Sequence, residues 1–284
     1  MRKTIVCLAL PGVLGMTGCA GVPPLAARQQ YADRLAAQRN WTPLTLEAGP
    51  FALRAYVPAR IRPADMLTLY IEGDGLAWIT SSQPSSDPTP TRPLALQLAL
   101  AQPAGNAAYL GRPCQYGQAG QGACEASRYW TRQRFAPEVV SASSEAIDRL
   151  KARFGAQQLT LIGYSGGAAI AALVAAQRHD VVRLVSVAGN LDHQTWTRLQ
   201  RIGPLSGSLN PADYRSALAG IPQWLLVGDA DRIVPRQVAD AYADGFPAGR
   251  QPAVRAFPTY THSCCWAEHW AEIWTALPAP AGRP

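Results

Sequence analysis

Gly163-Tyr164-Ser165-Gly166-Gly167 sets a serine between glycines in a G-x-S-x-G string. A serine hydroxyl is a poor nucleophile near neutral pH and needs a base within hydrogen-bond reach. The chain has four histidines, so the base can be sought by elimination. His179 ends the stretch after Ser165, at the far edge of any sheet that carries the serine. His269 falls in the last helical segment. His193 and His262 each follow a strand pattern and share an edge with Ser165. An imidazole needs a carboxylate to orient it and to stabilise its cation. Asp229 and Asp231, in Gly228-Asp229-Ala230-Asp231-Arg232-Ile233-Val234-Pro235, and Asp192, just before His193, are the candidates.

These residues act together only if the chain carries them to one place. Apolar runs at 66–71, 106–110, 159–162, 181–187, 224–227 and 253–257 read as strands, most of them buried on both faces. Segments 44–46 and 51–57, parted by Gly49-Pro50, read as an antiparallel opening pair. Helical patterns fill 93–101, 138–154, 166–177, 235–242 and 265–277. Strands alternating with helices predict an α/β fold, a mostly parallel sheet with helices on both faces. The run Leu159–Ile162 leads into Ser165 and an Ala-rich helix follows, the strand–turn–helix setting of a nucleophile elbow. Three long connections, 76–92, 111–136 and 190–220, follow strands and lie at the carboxyl edge, where ligands bind in open α/β sheets. They are expected as cap-like loops. Trp78, Tyr129, Trp130, Trp196 and Trp266 either line an apolar acyl pocket there or belong to the core.

The segment Gly228 to Pro235 resembles the G-x-x-D-x-x-V-P pattern of the α/β-hydrolase family, and the likeness extends over about residues 44–277. The resemblance implies the α/β-hydrolase fold and a serine hydrolase acting on an ester or related acyl bond of a small-molecule or lipid acyl substrate, with no cofactor and no metal. It selects Asp231 as the acid, with Asp229 and Asp192 as alternatives. The family's chain order of Ser, acid and His favours His262 over His193 as the base. Glu72-Gly73-Asp74-Gly75-Leu76 stands where the family carries its H-G-x-G oxyanion loop, with Glu72 in place of the histidine. The chemistry asks for backbone N–H groups, so Asp74 or Gly75 would supply one donor and Gly166 the other. The Asp74 carboxylate would oppose an oxyanion unless it points away or is neutralised.

The amino terminus carries its own pattern. Arg2 and Lys3 precede the apolar stretch 4–10, and Gly15-Met16-Thr17-Gly18-Cys19 follows. Small residues before a cysteine resemble the lipobox of bacterial lipoproteins, although Met16 replaces the usual Leu. That resemblance implies a signal peptide over 1–18, acylation of Cys19 and a membrane lipid anchor. Ala20 after the cysteine implies the outer membrane, facing the periplasm. An ordinary secretory leader is the alternative. Residues 19–43 read as a tether with a short helix, and 44–284 as the hydrolase domain. In an oxidising compartment the remaining Cys114, Cys124, Cys264 and Cys265 are expected in disulfides, Cys114 with Cys124 across a Gly-rich loop.

Composition narrows the classes further. The chain of 284 residues is 48% hydrophobic and 16% charged, too apolar for a disordered protein. No apolar run reaches the roughly 18 residues of a membrane-spanning helix. The formal net charge is +7, and Lys3 and Lys151 are the sole lysines. The arginines are scattered, which argues against a nucleic-acid partner and leaves attraction to anionic surfaces. Two other functional classes compete: a lipoprotein that keeps the fold as an idle binding or scaffold module, and a zinc or redox site at His262, Cys264, Cys265 and His269. Adjacent cysteine side chains diverge, which makes one tetrahedral site hard to close.

Overall fold

The computed structural model describes residues 21–279. The signal-peptide segment and Cys19 lie outside the described residues. Eight strands form one sheet: β1 (Trp41–Ala48), β2 (Phe51–Pro58), β3 (Met66–Ile71), β4 (Asn106–Leu110), β5 (Gln158–Tyr164), β6 (Val181–Val187), β7 (Gln223–Gly228) and β8 (Ala253–Phe257). Their order is β1-β2-β4-β3-β5-β6-β7-β8. The first two strands form a hairpin turned at Gly49, where φ is +52°, and β2 pairs antiparallel with β4. Every pair from β4 to β8 is parallel.

Strand alternation builds two cores. Leu67, Leu69 and Ile71 of β3 face one side and Tyr70 the other; Ala108 and Leu110 of β4 likewise oppose Ala107 and Tyr109. The first core is covered by α3 (Pro137–Phe154), α4 (Gly166–Ala175) and α7 (Arg236–Asp244). The second lies under α1 (Leu25–Ala37), α2 (Leu94–Ala101) and α8 (Trp270–Thr275). Helix α3 follows from its sequence: Pro137 opens it, an apolar stripe from Val139 to Phe154 faces the core, and Gly155 ends it at φ +63°. Helix α4 is buried on every side, and its alanines and glycines let it pass close to the sheet. No described helix is long and apolar enough to cross a membrane.

Three expectations need correction. The helix foreseen in the 19–43 stretch is docked on the fold: Arg28 is buried, and its guanidinium donates to the carbonyls of Asp87 and Thr89. The strand foreseen at 44–46 begins at Trp41. The last helix starts at Trp270 instead of 265, because Cys264 and Cys265 are joined to each other and Cys265 has φ +83°, outside the helical region. Connection 190–220 holds α5 (His193–Gln200) and α6 (Arg215–Leu218).

Candidate active site

Ser165 sits between β5 and α4 with φ +52° and ψ −121°. A non-glycine residue holds such a conformation only when its surroundings over-determine it. Here the Ser165 amide donates to the Val187 carbonyl on β6 at 2.9 Å, and its carbonyl accepts from the Asn190 amide at 3.1 Å. The flanking glycines are required by space. A methyl group at Gly163 would lie 2.3 Å from the Ala168 Cα, and one at Gly166 would lie 2.1 Å from Asp74 Oδ1.

His262 and Asp231 meet the serine. His262 Nε2 lies 3.0 Å from Ser165 Oγ, and His262 Nδ1 lies 2.8 Å from Asp231 Oδ2. The Asp231 side chain is fully buried, and its Oδ1 accepts from the amides of Ile233 and Val234 at 2.8 and 2.9 Å. Asp231 therefore holds a loop and an imidazole at once. The Tyr164 ring lies 5.2 Å from the His262 ring, packed against it.

The other candidates fall elsewhere. Asp192 caps α5, accepting from the amides of Gln194 and Thr195 at 3.2 and 3.1 Å and from the Thr195 hydroxyl at 2.8 Å. Asp229 is 3.8 Å from Arg236 on the surface. His193 is buried beside Phe135, with no partner for either ring nitrogen among the described residues, and burial lowers its pKa. His269 precedes α8 and is half exposed, 3.7 Å from Glu272. The Cys264–Cys265 bridge leaves no thiolate beside His262 for a zinc ion.

The oxyanion-loop segment follows β3. Glu72 is buried, and its Oε1 accepts from the amides of Gly73 and Ala95 at 2.9 and 3.4 Å. Burial raises its carboxyl to about 7. The Gly73 amide is thereby occupied, whereas the amides of Asp74, Gly75 and Gly166 have no backbone acceptor outside the regular elements. Asp74 is neutralised, as its position demands: Arg112 lies 3.2 Å from Oδ1 and Arg134 2.6 Å from Oδ2. Burial pushes the Asp74 carboxyl up, but the two guanidinium groups outweigh it and hold it below its ordinary range. Neither arginine stood out in the sequence. The demand for a cation near Asp74 was legible, but its source depended on a loop whose two arginines lie 38 and 60 positions away.

A cavity of about 980 Å³ opens over Ser165 and His262, lined by Trp78, Trp196, Leu205 and Val234 among others. Of the five aromatics weighed for pocket or core, Trp78 and Trp196 line this cavity. Tyr129, Trp130 and Trp266 are core residues, no more than 6% exposed. Cys114 and Cys124 are joined. Beyond the loop they close, the rings of Tyr129, Trp130 and Phe135 turn into the first core, and the polar Thr131, Arg132 and Arg134 reach the cavity.

No protein-family model and no curated protein matches the sequence. Solved structures do match. Est1E from Butyrivibrio proteoclasticus superposes with a TM-score of 0.57 at 12% identity, over 82% of this chain and 98% of that one. XC6422 from Xanthomonas campestris, described as an α/β serine hydrolase without a lid, gives 0.52 at 17% identity, over 84% and 96%. The Pyrococcus furiosus esterase Pf2001 gives 0.57 at 12%, over 84% and 90%. The chain has the α/β-hydrolase fold. In an α/β-hydrolase sheet the carboxyl edge is the place for a site, and Ser165, Asp231 and His262 all project there from the ends of β5, β7 and β8.

Proposed function

We propose that this protein is a serine hydrolase that cleaves a carboxylic ester or related acyl bond through an acyl-enzyme. The observation that carries this reading is the continuous chain Ser165 Oγ, His262 Nε2, His262 Nδ1 and Asp231 Oδ2, with spacings of 3.0 and 2.8 Å. The esterase names of the fold neighbours agree with it.

In this mechanism Ser165 Oγ attacks the acyl carbon while His262 Nε2 takes its proton. The carbonyl oxygen becomes an oxyanion facing the amides of Gly166 and of Asp74 or Gly75. Asp74 with Arg112 and Arg134 carries one net positive charge, so this buried group favours the oxyanion that Asp74 alone would oppose. His262 then gives its proton to the leaving alcohol as the carbon–oxygen bond breaks. Water, deprotonated by His262, attacks the acyl-enzyme, and the carboxylic acid leaves as Ser165 recovers its proton. Asp231 keeps the imidazole in the required tautomer and stabilises its cation. The cavity over Ser165 is large enough for a medium-length acyl group.

The reading includes the cell envelope: after removal of the 1–18 leader, acyl chains on Cys19 would anchor the mature chain in the outer membrane, facing the periplasm. Intact mass of the mature protein tests this, since an unmodified Cys19 excludes the anchor.

A fluorophosphonate probe tests the chemistry. It should label the peptide that carries Ser165 in the wild type. Ser165→Ala should lose labelling and several orders of magnitude of turnover on a short-chain chromogenic ester. A Ser165→Ala protein that retains most of the wild-type turnover would refute the assignment.

A further inference from the structure

Soluble proteins bury their large apolar side chains where they can, so a concentration of exposed ones at one place calls for an explanation. Six large hydrophobic residues are exposed among the described ones. Four of them line the cavity over Ser165, and a fifth, Leu199, lines the neighbouring hollow that shares Gln200 with it. Trp78 and Ile79 come from the connection after β3, Leu199 and Ile202 from the end of α5, and Ile233 from the loop of Asp231. Their exposures run from 37% to 55%. The last two elements are fixed to each other. Trp196 Nε1 donates to the Ile233 carbonyl at 2.7 Å, and Gln200 Nε2 donates to the carbonyls of Arg232 and Ile233 at 2.8 and 2.9 Å.

Arginines stand beside these apolar residues. Arg201 precedes Ile202 and Arg232 precedes Ile233, while Arg92 and Arg132 line the cavity itself. All four are exposed, and none belongs to an ion pair among the described residues. The other arginines about the site are committed, Arg112 and Arg134 to Asp74 and Arg236 to Asp229 and Asp240. One exposed carboxylate, Glu268, lines the cavity with Arg92 and Arg132. Arg232 lies in the neighbouring hollow with Asp229 and Asp240, both of which pair with Arg236. Exposed apolar side chains with unpaired guanidinium groups beside them are what a surface needs to enter the interface of an anionic bilayer. The apolar groups sink to the acyl boundary and the cations stay with the phosphates.

We propose that the mouth of the cavity docks on an anionic phospholipid surface through Trp78, Ile79, Ile202 and Ile233, with Leu199 of the neighbouring hollow beside them and Arg92, Arg132, Arg201 and Arg232 on the headgroup phosphates. This contact is separate from acylation at Cys19, because it fixes which face of the protein meets the lipid. Resting on the hydrolase reading, it also names the substrate class: an acyl ester that reaches Ser165 from within the lipid layer.

The test uses the full-length protein mixed with vesicles containing bromine-labelled acyl chains, of phosphatidylcholine alone or with phosphatidylglycerol. Tryptophan emission should be quenched on the phosphatidylglycerol vesicles, and Trp78→Phe should lose that part of the quenching. Raised salt should reverse it. Near an anionic surface each arginine contributes roughly fivefold in the insertion equilibrium, so Arg201→Gln with Arg232→Gln should shift it about 25-fold toward the undocked form. The double arginine variant should hydrolyse a water-soluble short-chain ester at the wild-type rate. Quenching that Trp78→Phe leaves unchanged, or that is equal on the two vesicle types, overturns the proposal. So does a lipid-free dimer that shields Trp78. Turnover of the soluble ester without quenching removes the docking face and leaves the hydrolase standing. Quenching without any turnover does the reverse.

Discussion

Replacing Glu72 by glutamine should abolish one specific pH dependence of stability. The Glu72 carboxyl is 1% exposed, and its Oε2 has no partner among the described residues. Around it stand Tyr109, Tyr116 and Tyr164, whose hydroxyls burial keeps neutral, and the Arg112 guanidinium, already engaged by Asp74. Desolvation dominates over the amide hydrogen bonds from Gly73 and Ala95 and raises the carboxyl from its ordinary 4.5 to about 7. A rise of that size corresponds to about 3 kcal/mol. Its sign is destabilising at high pH. Between pH 4.5 and 7 the folded chain holds a proton that the unfolded chain releases, so stability falls as the pH rises and levels off above 7. Glutamine keeps an oxygen for the two amides and never ionises. Glu72→Gln should therefore match the wild type near pH 4.5 and exceed it by about 3 kcal/mol above about pH 8. Urea unfolding of both proteins across this range isolates the effect, because every other titrating group cancels in the difference. A stability difference that does not change with pH would refute the reasoning.

Asp231→Asn should lower kcat by about 10⁴-fold while the protein remains folded, because the amide holds the wrong imidazole tautomer; ester kinetics on the purified variant report it. Asp192→Ala should cost about 1 kcal/mol through the lost α5 cap and leave kcat near the wild type, which kinetics and thermal unfolding check together; a loss comparable to that of Asp231→Asn would reassign the acid. Asp74→Asn should destabilise by about 3–5 kcal/mol, since it strands the buried charges of Arg112 and Arg134, and thermal unfolding measures it. Cys114→Ser with Cys124→Ser should cost about 2–3 kcal/mol in the chain-entropy model. Because Thr131, Arg132 and Arg134 line the cavity beyond that loop, KM should change more than kcat.

Local pattern made the scaffold legible. Apolar runs bounded by turns marked the strands, the stripe from Val139 to Phe154 with Gly155 marked α3, and the glycines about Ser165 marked a turn too tight for larger side chains. Each of these depends on neighbours within a few positions, which is the range over which sequence dictates conformation. The elimination among four histidines narrowed the base to His193 and His262 for the same reason, because strand ends fix which residues share an edge. The tertiary structure decided everything that depended on contacts between distant segments. Asp231 and Asp192 both follow strands, and only their surroundings separate them: one meets His262, the other turns to the amides of its own helix. Arg112 and Arg134 could be assigned to Asp74 only once their loop had folded back over the oxyanion segment. The aromatics divided between pocket and core on the same principle, because a ring's burial is set by which elements close over it. A side chain's type and local conformation are written in its own stretch of chain, whereas its partner is chosen by the packing of the whole sheet.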